Sequence, residues 1–186
     1  MTAKVTPSPT LPVSKRFDSP TADMTLQSSD NILFKVHRLN LEMHSQVFAD
    51  AGGTTVGTVE NEIVSLSETS EVLELVLQYV YLQPQPDLQK VQWEVVKELA
   101  EAVQKYEIYC AIGVCSQRMR EYVYEHPIDV LLFSVRHKYT DVMNESAEAT
   151  LNIPPYTMLS CAPASVFAAW VRRSSYNVQI STYHDI

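Results

Sequence analysis

Residues 32–48, ILFKVHRLNLEMHSQVF, constrain this chain more than any other stretch, because the hydrophobic period changes in the middle of it. Ile32, Phe34 and Val36 alternate with Leu33 and Lys35, the period of a strand with one strongly apolar face. After His37 and Arg38 the spacing becomes helical, with Leu41, Ser45 and Phe48 at i, i+4 and i+7. A chain of this kind must fold a strand that stops at a His-Arg pair and turns directly into an amphipathic helix. The small Ser45, between two large apolar residues, leaves room for another element to approach closely.

The neighbouring segments fit the same unit. Residues 23–27, DMTLQ, read as a strand, and Ser28, Ser29, Asp30 and Asn31 are polar turn formers, so 23–36 predicts a hairpin. A third strand is predicted over 62–66. Helices are predicted near 39–48, 69–81 and 91–106, followed by another carrying Ile108, Ala111, Ile112, Cys115 and Met119. Ser67 is placed to cap the helix over 69–81, with Glu68 and Glu71 supplying negative charge at its N-terminus. That helix carries the stripe Val72, Leu73, Val76, Leu77, Val80 and Tyr81, and Pro84 and Pro86 force a loop after it.

The order H-R-x-x-L-x-x-x-S-x-x-F, preceded by D-x-x-L, a turn and a strand carrying Phe34, resembles the BTB/POZ family. The ending LELVLQYVY also resembles that family's helix closing on an aliphatic-Tyr pair. On this resemblance Asp23, Phe34, His37, Arg38, Leu41, Ser45, Phe48, Tyr81 and Tyr106 are structural motif residues, with His37 ordering the strand-to-helix turn. The implied fold is α+β, a core of short strands flanked by helices over residues 18–120. A helical extension follows over 121–173, similar to that of short fungal members. Residues 1–17, with Pro7, Pro9 and Pro12 among Thr and Ser, are expected to be a flexible leader. Residues 174–186 have no helical period and are expected to be a tail.

Within the extension, Pro127 suits the first turn of a helix with Ile128, Leu131, Leu132, Val135 and Tyr139 inward. A second helix, with Val142, Met143, Ala147 and Leu151, is expected to end at Pro154 and Pro155. Pro163 opens a third with Val166, Phe167, Trp170 and Val171.

The function implied is protein–protein interaction without catalysis, by self-association or by association with another protein. An adaptor for a cullin-type ubiquitin ligase is one form of this, and a transcription or chromatin scaffold is another. The hydrophobic-x-Glu motif of cullin-binding members is out of register in the segment after Phe48. Paired Cys-His spacing, which would mark zinc fingers, is also missing from the sequence. The prolines ahead of the core disfavour an exchanged N-terminal helix, since each costs about 3 kcal/mol in a helix interior. A monomer or a non-swapped dimer is therefore expected.

Other features weigh against chemistry. The net charge of -8 disfavours nucleic acid as a partner. Neither a membrane-length apolar run nor a signal-peptide pattern is seen, so an intracellular chain, cytoplasmic or nuclear, is expected. Cys110, Cys115 and Cys161 lack metal-ligand spacing and read as buried free thiols. His37 and His44 lie on different elements with no third ligand beside them, and 50–55 read as a surface loop. Catalytic residues, metals and cofactors are not expected.

Overall fold

The computed structural model describes residues 11–54 and 63–184. It divides into two compact units, Met1–Cys115 and Ser116–Ile186. Within the first, four strands form one mixed sheet in the order β1-β3-β2-β4: β1 Val13–Asp18, β2 Met24–Gln27, β3 Leu33–Val36 and β4 Ile63–Ser65. β2 and β3 are the expected hairpin, antiparallel with Leu26 opposite Phe34. Asn31 takes a left-handed φ of 65° in the turn, a conformation that Asn tolerates. Leu26, Phe34 and Val36 are fully buried, as one apolar face of a two-residue period requires.

β1 departs from the expected leader. It pairs in parallel with β3 inside its own chain, with a register shift between Val13 and Asp18. Its buried residues, Ser14 and Phe17, lie three apart, so the shift hides the strand from a search for simple alternation. Pro12 and Pro20 bound the strand and do not interrupt it. Residues 1–10 of the expected leader lie outside the described residues.

The helix expected over 39–48 is broken. α1 spans Arg38–His44 and α2 spans Gln46–Thr54, with Ser45 between them in extended conformation at φ -138° and ψ 121°. Residues 50–54, expected in a loop, belong to α2. The 55–62 segment, which holds the remainder of that expected loop and the out-of-register cullin motif, lies outside the described residues.

α3 spans Ser70–Val80 and buries Val72, Leu73, Val76, Leu77 and Val80 as its stripe predicts. Its cap differs from expectation. Thr69 occupies the N-cap position without a side-chain bond, and Asp30, from the hairpin turn, accepts from the Ser70 N–H at 2.8 Å and the Ser70 hydroxyl at 2.6 Å. These bonds hold the Asp30 carboxyl below its ordinary range, the Ser70 hydroxyl contributing most. α4, Trp93–Lys105, buries Val96, Leu99, Ala100, Ala102 and Val103. α5, Tyr109–Glu121, carries the division between the two units.

The second unit is helical among its described residues. α6, Pro127–His137, begins with proline in its first turn as expected. Its most buried residues are Val130, Leu131, Phe133 and Ser134, while Ile128, Leu132, Val135 and Tyr139 of the predicted face are only half-buried. α7 spans Thr140–Ala149. After it, Pro154 and Pro155 do more than end a helix: Pro155 opens a short one, α8, Pro155–Cys161. α9, Ala164–His184, continues through the segment expected to be a tail. An established helix extends cooperatively. The Ser174 and Ser175 hydroxyls turn back onto the carbonyls of Trp170 and Val171, at 3.0 and 2.9 Å, instead of competing for the helix backbone. Leu131, Ala147, Met158 and Trp170 form the core of this unit. The Trp170 indole N–H donates to the Thr150 hydroxyl at 2.9 Å.

Candidate protein-interaction site

The strand-to-helix turn is held from three sides. The Asp23 carboxylate accepts from the Arg38 backbone N–H at 2.7 Å, fixing the first residue of α1. Tyr81, directly after α3, accepts from the His37 backbone N–H at 2.8 Å through its phenol oxygen. The same oxygen lies 3.1 Å from His37 Nδ1. On the other edge of the imidazole, Nε2 lies 3.0 Å from the Thr21 hydroxyl and 3.4 Å from that of Ser19. Both ring nitrogens are therefore engaged by hydroxyls. His44 points elsewhere, with its Nδ1 3.0 Å from the Asn40 carbonyl. Among the described residues, no group of three His, Cys, Asp or Glu side chains could hold a metal ion.

The end of α1 is held by a second cluster. Ser45 is buried; its hydroxyl donates to the Tyr106 carbonyl and accepts from the Phe48 N–H at 3.2 Å. Phe48 stacks on the Tyr106 ring with centroids 5.3 Å apart, yet remains only half-buried, unlike the fully buried Leu41. The Tyr106 hydroxyl donates to Glu68, which also accepts from Lys105 at 2.8 Å. Burial works to raise the Glu68 carboxyl, but the bonds from Lys105 and Tyr106 outweigh it and hold the group below its ordinary range. Burial first, and then the hydrogen bond to Glu68 and the charge of that carboxylate, push the Tyr106 phenol well above its ordinary value. Ser67, the expected helix cap, instead accepts from Lys105 at 2.8 Å.

The structure thus brings Asp23, His37, Arg38 and Tyr81 together at the start of α1, and Ser45, Phe48 and Tyr106 at its end. Phe34 and Leu41 lie in the buried core. Sequence reading placed Asp30 in the turn and Glu68 at a helix N-terminus but missed their partners, 40 and 37–38 residues away.

It also missed the outward face of α1. Leu39 and Met43, one helical turn apart, are 63% and 70% exposed, and Val47 in the first turn of α2 is 38% exposed. The signal was present as apolar residues at positions the core-facing stripe leaves over. The thiols also differ from expectation. Cys115 is buried, with its thiol pushed up to about 12 by burial and then by Cys110. Cys110 and Cys161 are exposed, and the Cys110 sulfur lies 3.5 Å from the Tyr79 carbonyl.

A small sheet with flanking helices, and an α1 bonded at both ends that turns Leu39 and Met43 outward, define an α+β fold. The BTB/POZ domain model matches residues 15–122, more than half of the chain, and the chain belongs to the BTB/POZ family. BTB/POZ domains are protein–protein interaction modules, and membership implies protein partners and self-association. A comparison with curated proteins finds no match. Among the described residues no helix is long and apolar enough to cross a membrane.

Proposed function

We propose that the chain is a non-catalytic interaction module that pairs with a second copy of itself through the outward face of α1, with Val47 at the edge of the contact. The exposure of Leu39 and Met43 on one face of a short helix carries this reading. Covering a large aliphatic side chain is worth about 1.5–3 kcal/mol. Two from each copy provide a substantial drive to associate, before the cost of bringing the copies together. The bonds to Asp23, Tyr81 and Tyr106 fix the helix at both ends, so little conformational freedom is lost on pairing. Pro7, Pro9 and Pro12 ahead of the core disfavour an exchanged N-terminal helix, so the pairing is read as one without exchange.

In this reading the helical second unit supplies the contact for a further protein, giving the pair an adaptor role. A cullin-type ligase component is the finer alternative, and the out-of-register motif speaks against it. Co-expression of two differently tagged copies tests the pairing. Capture of one tag brings down the other, and Met43→Glu abolishes this. Failure of the wild-type copies to co-purify contradicts the reading.

A further inference from the structure

Ser19 lies in the loop between β1 and β2, in the sequence Arg16-Phe17-Asp18-Ser19-Pro20-Thr21. A Ser-Pro dipeptide with arginine three residues before it presents two of the features by which Ser/Thr kinases select an acceptor, namely proline after the hydroxyl and a positive charge upstream. Thr6-Pro7 and Ser8-Pro9 also carry the proline, but Ala3 and Val5 stand three residues before their hydroxyls, where Ser19 has Arg16. The loop forms a tight turn, with the Ala22 N–H donating to the Ser19 carbonyl at 3.3 Å, and Pro20 and Thr21 are exposed.

The surroundings of Ser19 suit the product of such a modification. Ser19 lines a cleft of about 270 Å³ together with Lys15, Arg16, Lys35 and Asp18. In a chain of net charge -8, three cations against one carboxylate are an unusual local excess. Lys35 already pairs with Asp18 at 2.7 Å, but its side chain is 44% exposed and can turn to a stronger anion. On the other side, His37 Nε2 lies 3.4 Å from the Ser19 hydroxyl. A phosphoryl group carries about 1.5–2 negative charges and three acceptor oxygens, and placed opposite cations it forms charge-assisted bonds.

We propose that Ser19 is a phosphorylation site for a proline-directed Ser/Thr kinase, and that its phosphoryl group is held between the Lys15, Arg16 and Lys35 cleft and the His37 imidazole. In the reaction the Ser19 oxygen attacks the γ-phosphorus of ATP, the bond to the β-phosphate oxygen breaks, ADP leaves, and the hydroxyl proton passes to the kinase's catalytic base. The new anion then lies beside the residue whose backbone opens α1, so the modification acts on the turn that fixes the outward face of that helix.

The test treats the full folded chain with a recombinant proline-directed kinase and magnesium ATP, maps the modified residues by tandem mass spectrometry, and compares the His37 ring-proton resonances of the modified and unmodified chains by NMR at one pH. Phosphate is expected on Ser19, lost in Ser19→Ala and reduced in Pro20→Ala, which leaves the hydroxyl in place. The His37 ring-proton resonances are expected to move in the phosphorylated chain, because the phosphoryl group lies against the imidazole that is 3.4 Å from the Ser19 hydroxyl. Phosphate confined to Thr6, Ser8 or other residues overturns the proposal. So does modification of Ser19 only after unfolding in urea, or modification of the folded chain with no movement of the His37 ring resonances.

Discussion

The Ser45 hydroxyl donates a hydrogen bond to the Tyr106 carbonyl across 61 residues of sequence, at the point where α1 stops and α2 begins. The same oxygen accepts from the Phe48 N–H, so one small side chain ends the first helix, starts the second and ties both to the end of α4. Ser45 and Ile108 also form an isolated antiparallel bridge there.

Ser45→Ala leaves the buried Tyr106 carbonyl and the Phe48 N–H without this partner. Unsatisfied buried polar groups of this kind cost about 1–3 kcal/mol. Urea denaturation followed by circular dichroism is expected to show a loss in that range, and a change below about 0.5 kcal/mol would show that the hydroxyl is dispensable.

Leu41 and Phe48 separate two kinds of apolar contact. Leu41 is fully buried, and Leu41→Ala is expected to cost about 2–5 kcal/mol. Phe48 is only half-buried and acts mainly through its stack on Tyr106. Such ring pairs add about 0.5–1.5 kcal/mol beyond area burial, so Phe48→Ala is expected to cost less than Leu41→Ala. Denaturant midpoints for the two variants, measured in one buffer, give the order; the reverse order would mean that Phe48 lies deeper in the core than its exposure indicates.

Much of this arrangement was legible in the sequence. The β2–β3 hairpin, α3 and α4 could be read because their buried residues keep a strict period of two or of three to four. The start of α6 could be read because proline marks it. β1 could not, since a register shift places Ser14 and Phe17 three residues apart. Nor could the break at Ser45, because helical spacing runs through it unchanged and the hydrogen-bond partner that stops the helix comes from the end of α4. Asp30 looked like one more turn residue, and only the fold places it over the N-terminus of α3. The motif pointed to the inward residues of α1, while the outward ones, Leu39 and Met43, are the exposed pair.

Glu68 gives the chain an acid-sensitive contact. Its folded value is depressed below the ordinary 4.5, so the stability it contributes is fully present above that value and is lost as pH falls through the folded value. Denaturation between about pH 5 and about pH 3 is expected to show falling stability, and Glu68→Gln to flatten that dependence while lowering stability at neutral pH. The Tyr106 phenol works in the opposite direction. Its folded value is raised above the ordinary 10.0, so its share is present below pH 10.0 and lost as pH rises. An unchanged acid profile in Glu68→Gln would show that the network with Lys105 and Tyr106 does not contribute to acid sensitivity.

Multi-angle light scattering on a sizing column reads out directly whether the outward face of α1 pairs two copies of the chain. The comparison is between the wild-type chain, the double variant Leu39→Asp with Met43→Asp, and Leu159→Asp, which places the same charge at a 61% exposed leucine in α8. A mass of two chains is expected for the wild type and for Leu159→Asp, and of one chain for the double variant with its circular dichroism unchanged. A wild-type chain that runs as a monomer, or a double variant that remains a dimer, would contradict this pairing.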